Sequence, residues 1–514
     1  MGSSLYQEKY MICLIQNIED YNNDFRVMLQ AFFGGERIVI PEIYEKDQSL
    51  REKTDRIFEA DIRADGIEVK LYAVEGVGFS AEKVAETYIP VNGDVHDKAL
   101  VRNPLKLALY NMLSDYTGRK LPWGSLTGIR PTKIALAHME QGIDDESIVD
   151  IYEKTYGAGR DKGSLAVAVA KHERRIIQSV DEENEYCLYV GIPFCPSRCL
   201  YCSFTSYPIA TYQNRVWDYI YAMEKEIEYV SKVYSNKRLI SLYIGGGTPS
   251  SLTAEQMDRL CDILEKNFDL SFLREYTIEA GRPDSTTRDK LEVMKKHGVT
   301  RISINPQTMN DETLRLIGRA HDSGQTIEAM NTARAVGFDN INMDLIVGLP
   351  GENVCDVRRT LEMVSSLHPE SLTVHTLAIK RAANLNIEMD KYRNTLPEDA
   401  QEQLAEVTQF AGNMGLSPYY LYRQKNMAGN LENIGYSRPD LECLYNILIM
   451  EERTDIVGIG AGSSTKLVIR PGVDGVTEGT RIDRVENCKS VDDYINRIDE
   501  MIDRKKKEFQ RVRM

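Results

Sequence analysis

The chain is expected to be an α/β protein built on a partial, TIM-like (β/α)6 barrel, with an α+β domain before it and a mostly helical domain after it. Three observations lead there. Between about residues 186 and 379, short β-rich runs at 187–192, 239–244, 276–280, 301–305, 340–347 and 371–377 alternate with helical ones. Such alternation makes a parallel sheet with helices outside. Polar and glycine-rich motifs fall at the ends of these runs, where barrels of this kind keep their chemistry. Finally, 514 residues with 42% hydrophobic content suffice for about three domains of ~150 residues, each with its own core. The boundaries read as 1–180 for an accessory domain, 181–385 for the barrel and 386–514 for a substrate-covering domain.

In the first domain a hairpin runs through 57–63, turns at Ala64-Asp65-Gly66 and returns through 67–74. An Asp-Gly pair between β-rich runs is a strong hairpin signal. Helical periodicity follows at 104–113 and 164–170. Between these, Leu121-Pro122-Trp123-Gly124-Ser125-Leu126-Thr127-Gly128-Ile129-Arg130-Pro131-Thr132-Lys133 has the Pro, Gly and aromatic density of a shaped loop, read as a docking loop before a substrate-contacting one. The acidic stretch 181–185 is the linker.

Beyond residue 380, Pro397-Glu398-Asp399-Ala400 opens a helix with acid in its first turn. An aromatic segment at 418–427, a Gly-rich turn at 458–462 and a charged terminal helix follow. The run Arg504-Lys505-Lys506-Lys507 reads as a solvated helix face. A net charge of −15 argues against a general nucleic-acid surface, which needs Lys and Arg. There is no basic leader before an apolar core and no run of ~18 apolar residues, so a cytoplasmic protein without a membrane span is expected.

Three of the nine cysteines, Cys195, Cys199 and Cys202, stand as C-x3-C-x2-C at the end of the first barrel strand. A zinc site wants four ligands and a disulfide framework wants even numbers. Three thiolates fit a [4Fe–4S] cluster whose fourth iron takes a ligand from outside the protein. The next strand ends in Gly245-Gly246-Gly247-Thr248-Pro249, where missing Cβ atoms let a ligand reach the backbone. Later strand ends offer Glu279, Gln307 and Asp344, and Arg319 follows twelve residues after Gln307.

With an aromatic residue before its last Cys, the cysteine motif resembles the signature of radical S-adenosylmethionine (SAM) enzymes. That resemblance implies a radical SAM barrel, with SAM on the open iron. It makes the glycines a holder for the methionine amino group and Glu279 and Asp344 partners of the ribose and sulfonium side. Gln307 joins this clamp, Arg319 pairs with the methionine carboxylate, and Tyr189 flanks the sulfonium. The wider set Tyr189-x-Gly191-Ile192-Pro193-Phe194-Cys195, Gly245–Pro249, Gln307, Arg319 and Asp344-Leu345-Ile346-x-Gly348-Leu349-Pro350 is similar to oxygen-independent coproporphyrinogen III oxidases. The first domain, with its 124–133 loop, looks like the HemZ-type coproporphyrinogen dehydrogenases.

This resemblance implies oxidative decarboxylation of coproporphyrinogen III to protoporphyrinogen IX in haem biosynthesis. A flavodoxin or ferredoxin would supply electrons, and a 5′-deoxyadenosyl radical would take a β-hydrogen from each of two propionates. A tetraanionic substrate needs cations, and Lys380, Arg381, Arg423, Lys425 and Arg438 are the candidates. The best-studied oxidases carry a histidine at Gly191 and a fourth cysteine at Phe204. These departures keep open a haem chaperone, for which His375 is a candidate axial ligand, and a radical SAM methyltransferase or haem-processing enzyme.

Overall fold

A computed structural model describes all residues except 1–10, 35, 42–53, 76–79, 129, 381, 425–426 and 514. The chain divides into two compact units, Met1–Ala168 with Arg423–Leu431, and Val169–Tyr422 with Glu432–Met514.

The first unit is built on a five-stranded sheet in the order β2-β1-β3-β4-β5, comprising β1 (Met11–Gln16), β2 (Arg37–Val39), β3 (Thr54–Arg63), β4 (Gly66–Glu75) and β5 (Ser80–Pro90). The expected hairpin is β3–β4, with Arg63 paired to Gly66 across a two-residue turn. Gly66 is required by close approach, because a Cβ there would lie 2.6 Å from the Ile89 carbonyl oxygen of β5. The helix Lys98–Thr117 starts at Asp97, whose carboxylate accepts from the Ala99 and Leu100 amides, and stops at Gly118 with φ 68°. Such a cap contributes about 1 kcal/mol. Phe25, Phe58, Leu71, Leu105, Leu109 and Leu113 form the core between the helices and the sheet. Trp123, from the 121–133 loop, is fully buried in this unit with Tyr152 edge-on at 6.5 Å.

The second unit contains the barrel. Its six strands are β6 (Glu185–Ile192), β9 (Arg238–Gly246), β10 (Glu275–Gly281), β11 (Arg301–Ile304), β12 (Ile341–Val347) and β13 (Ser371–Thr376). All six are mutually parallel neighbours in that order, as expected. Helices cover the sheet, so strand positions are buried whatever their polarity, and β11 (Arg301–Ile304) is buried at every position, its arginine and serine included. The helices Val216–Val233, Ala254–Asn267, Arg288–Lys296, Ser323–Val336, Val354–Ser366 and Ala400–Asn413 complete six βα units. Capping boxes fix three of their starts, Thr253 with Gln256, Asp322 with Gln325 and Asn353 with Asp356. A small parallel pair, β7 (Phe194–Cys195) and β8 (Tyr207–Pro208), brackets the cysteine loop.

Residues beyond 385 form helices and also five strands, β14 (Ser417–Tyr422), β15 (Asn433–Ser437), β16 (Asp455–Ile459), β17 (Ser464–Ile469) and β18 (Arg481–Glu486). These extend the sheet to eleven strands in the order β14-β15-β13-β12-β11-β10-β9-β6-β16-β17-β18, so the sheet is open with β14 and β18 at its edges. β16 lies parallel to β6, with Ile456 opposite Cys187 and Ile459 opposite Val190.

The terminal helix Ile498–Arg513 corrects one expectation. Arg504, Lys506 and Lys507 are exposed, but Lys505 is fully buried and pairs with fully buried Glu226 at 2.7 Å. Glu226 also accepts from Asn487 Nδ2 at 2.8 Å, the Gly460 amide at 3.0 Å and the Tyr494 hydroxyl. This network holds the turn after β16. No helix among the described residues is long and apolar enough to cross a membrane.

Candidate functional site

The cysteine loop leaves the C-terminal end of β6 and is anchored from several elements. The Leu200 amide donates to Ile317 O at 2.9 Å, and the Leu385 amide donates to Leu200 O at 2.9 Å. Arg282, 2% exposed at the exit of β10, donates to Ser197 Oγ at 2.7 Å and Ser197 O at 3.2 Å. Asp284 fixes that guanidinium through contacts at 2.9 and 2.7 Å. Arg282 escaped the sequence reading, although its position directly after the Glu279-Ala280-Gly281 strand end was a signal.

Cys199 is buried, and Cys195 and Cys202 are half-buried. Burial and the neighbouring thiols push both Cys195 and Cys202 above the ordinary thiol range, with Thr248 Oγ1 3.4 Å from Cys195 Sγ working against the shift. Crowded thiols of this kind favour a metal, whose positive charge stabilises the thiolate. Among the described residues, Asp262, Glu265 and His297 form the one group of three metal-ligand atoms lying within 4.8 Å of one another. Three thiols on one loop, without a fourth protein ligand grouped with them among the described residues, suit a [4Fe–4S] cluster with one open iron.

The glycines at the end of β9 lie against the start of the same loop. Gly247 N–H donates to Ile192 O at 2.8 Å, and a Cβ on Gly247 would fall 2.6 Å from Phe194 O. Gly246 adopts φ 113°, which a side chain disfavours. Glu279 stands beside them, accepting from the Tyr243 hydroxyl at 2.6 Å and from the Gly246 amide. Burial pushes Glu279 up to about 7 and nearby Asp344 adds to the rise, against the opposing Tyr243 and Gly246 hydrogen bonds. Tyr189 stacks on Tyr243 at 6.1 Å and on Tyr445 at 5.8 Å. Neither Tyr243 nor Tyr445 was singled out from sequence, though Tyr243 is two residues before Gly245 and so shares its strand face.

Gln307 bridges into β12: its amide donates to Asp344 O and its carbonyl accepts from the Ile346 amide, both at 2.9 Å. Its φ of 71° is uncommon for a residue with a side chain. Asp344 accepts from Asn342 Nδ2 at 2.7 Å. Arg319, 7% exposed, donates to Asn305 O at 2.8 Å and to the Tyr201 hydroxyl of the cysteine loop at 3.3 Å. Gln307 Oε1 and Arg319 Nε are buried without a hydrogen-bond partner among the described residues. A buried acceptor and donor in that state are costly unless a polar ligand meets them, which suits SAM.

The structure therefore brings Tyr189, Gly245, Gly246, Glu279, Gln307 and Asp344 around neighbouring strand ends, with Thr248 on Cys195 and Arg319 on the cysteine loop. The expected cations do not gather. Lys380 lies 5.7 Å over the Phe204 ring, and Arg438 is exposed. Arg423 belongs to the first unit, 3% exposed, with its guanidinium 5.7 Å from the Trp123 ring and bonded to Leu126 O and Asn430 O. It is committed to holding that loop, which corrects its reading as a substrate cation. Arg381 and Lys425 lie outside the described residues. The His375 imidazole is 3.5 Å from the Tyr422 hydroxyl, and burial holds it below the usual histidine range. A cavity of about 250 Å³ opens between the cysteine loop and the turn after β16, and both Gly191 and Phe204 line it.

Residues 189–364 match the model of the radical SAM superfamily. The chain is 38% identical over 416 residues to the oxygen-independent coproporphyrinogen-III oxidase-like protein HemZ of Bacillus subtilis, covering 80% of this chain and 82% of that one. It is 35% identical over 218 residues to the haem chaperone HemW of the same organism, covering 42% of this chain and 56% of that one. Among solved structures, the coproporphyrinogen III oxidase HemN of Escherichia coli, described as a radical SAM enzyme, aligns with a TM-score of 0.50 and 25% identity. That alignment covers 64% of this chain and 73% of HemN. The superfamily works with a [4Fe–4S] cluster and SAM, and the cysteine triad and the unpartnered polar atoms beside it fit both. With most of both chains aligned to HemZ, this chain belongs to the radical SAM superfamily, in the HemZ and HemN family of coproporphyrinogen III oxidase-like proteins.

Proposed function

We propose that the chain is an oxygen-independent coproporphyrinogen III oxidase, converting coproporphyrinogen III to protoporphyrinogen IX by two oxidative decarboxylations. The observation that carries this reading is the likeness to HemZ along four-fifths of both chains. In it, Cys195, Cys199 and Cys202 hold the cluster. Tyr189, Gly245, Gly246, Gly247, Thr248, Glu279, Gln307, Arg319 and Asp344 hold SAM. When bound, these cofactors would supply a 5′-deoxyadenosyl radical as the hydrogen-atom acceptor for a propionate β-position; loss of CO2 would then leave a vinyl group and one electron for an external one-electron acceptor to take up.

The protein's own task is orientation and exclusion of water. Arg282 and Asp284 keep the cysteine loop in one shape. Tyr243 and the Gly246 amide orient the Glu279 carboxylate, and the Tyr189–Tyr445–Tyr243 stack forms an apolar wall beside it. Lys380, next to Phe204, offers a cation to an anionic substrate. The partner that delivers electrons is a small low-potential protein of the flavodoxin or ferredoxin type, and the compartment is the cytoplasm.

A second reading is a haem chaperone, favoured by the 35% identity to HemW, with His375 as the haem ligand. An oxidase consumes one SAM per vinyl group, whereas a chaperone binds haem without coupled SAM cleavage. Anaerobic turnover of coproporphyrinogen III is therefore expected to yield two 5′-deoxyadenosines per protoporphyrinogen IX, and Cys202→Ala abolishes both products. Tight haem binding with no CO2 release refutes the oxidase in favour of the chaperone. SAM cleavage coupled to methylation or haem opening refutes both readings and identifies a methyltransferase or haem-processing enzyme.

A further inference from the structure

The 250 Å³ cavity is lined by Tyr189, Gly191 and Gly246 at the strand ends, by Phe204 after the cysteine loop, and by Ser463 and Lys489. It lies at the C-terminal ends of β9, β6 and β16, and it contains none of Glu279, Gln307, Arg319 or Asp344. It therefore shares only the Tyr189 and Gly246 wall with the residues assigned to SAM. Pockets that enclose a drug-sized ligand run to ~300–1,000 Å³, so this one suits a single arm of a large molecule.

Its lining is amphipathic. Ile192, Pro193 and the 67%-exposed Phe204 ring give an apolar surface, and the exposed residue Lys489, whose carbonyl accepts from the Tyr207 hydroxyl at 3.4 Å, brings a cationic side chain to the same lining. Gly191 is not demanded by the backbone, since its φ lies outside the left-handed region. A Cβ there would meet its nearest neighbours at an ordinary 3.4–3.6 Å. What glycine provides at this position is room. The opposite wall is rigid, because the Tyr219 hydroxyl donates to Gly191 O at 2.7 Å and accepts from the Ala461 amide at 2.8 Å.

We propose that this cavity is a specificity pocket for one carboxylate-bearing, otherwise apolar arm of the substrate, with Lys489 binding the carboxylate, Phe204 covering the hydrocarbon and Gly191 leaving the space. The assignment rests on the tetrapyrrole reading above and names the part of the substrate that enters. A propionate-bearing pyrrole has this chemistry, and an arm seated here lies against the Tyr189 and Gly246 wall, within reach of a reaction begun on its other side.

The test uses the anaerobically reconstituted full chain with SAM, and equilibrium dialysis of coproporphyrin III and of its uncharged tetramethyl ester. Lys489→Gln is expected to weaken coproporphyrin III binding about tenfold while leaving the ester unchanged, and Lys489→Arg to restore it. Gly191→Val, which fills that room, is expected to weaken both ligands about tenfold or more. Iron content and SAM affinity report that each variant is folded. If wild type binds coproporphyrin III and either Lys489→Gln or Gly191→Val binds it equally well, the pocket assignment is wrong and the oxidase reading stands. If wild type binds no coproporphyrin III, both fall together.

Discussion

Replacing Lys505 with Met removes the cation that pairs with Glu226, in a site where both side chains are fully buried. Met preserves most of the packed stem, so the change is mainly electrostatic. Glu226 keeps three donors, Asn487 Nδ2, the Gly460 amide and the Tyr494 hydroxyl, but its charge loses its counter-ion. Breaking a buried pair in this way costs ~3–5 kcal/mol, and the surviving hydrogen bonds put the expectation near the lower end, about 3 kcal/mol. Because the chain comprises two compact units, a single global midpoint would mix their transitions. The informative assay is amide hydrogen exchange at Gly460 and Ala461, where about 3 kcal/mol appears as roughly a hundredfold loss of protection. Adding Glu226→Gln to Lys505→Met should recover most of it by removing the stranded charge. Unchanged protection in Lys505→Met would refute the claim that this pair holds the turn after β16.

The remaining expectations concern the cofactor residues. Reconstitution should give about four irons per chain, lost in Cys195→Ala, Cys199→Ala and Cys202→Ala. Cys261→Ala should retain them, because Cys261 is buried elsewhere under the Tyr276 hydroxyl; an iron count with the opposite pattern rejects the triad. Arg319→Ala should weaken SAM binding about tenfold or more, from the loss of a charge-assisted bond of ~1.5–3 kcal/mol, with the cluster still present by absorbance. Equal SAM affinity would mean that another cation meets the carboxylate. Glu279 is raised by burial to about 7 from 4.5. Its contribution to stability is therefore fully present below about pH 4.5 and lost as pH rises through about 7. If its carboxylate accepts from the ribose hydroxyls, SAM affinity rises between about pH 6 and pH 8 and the rise disappears in Glu279→Gln. A wild-type affinity flat across that interval would refute the role.

How far the sequence could be read follows from the range of each interaction. The six barrel strands were legible because short β-rich runs alternate with helical periodicity, a signal carried within about thirty residues. The cysteines, glycines and acids at their C-terminal ends were legible for the same reason, since register places them once the strands are known. Long-range pairing was not. Nothing local in Asp455–Ile459 says that it pairs with β6, and so the glycine turn after it gave no sign of facing the cysteine loop. Lys505 was hidden inside a basic run, where one side chain in four points inward and the others solvate the helix. Arg423 failed in the opposite direction: an arginine beside an aromatic run fits a ligand site as well as it fits the face of Trp123.

The pairing of β16 with β6 also sets a schedule. The cysteine loop is complete at Cys202, but the opposite wall of its cavity, Ala461–Ser463, is held through Glu226 by a lysine at 505. At ~5–20 residues per second of synthesis, about 15–60 s separate the emergence of the three thiols from that of the side chain that locks the wall. Until then the Ser203–Thr205 segment that follows the cysteines faces no opposite wall. Closure of this cavity therefore belongs to the last stage of chain synthesis.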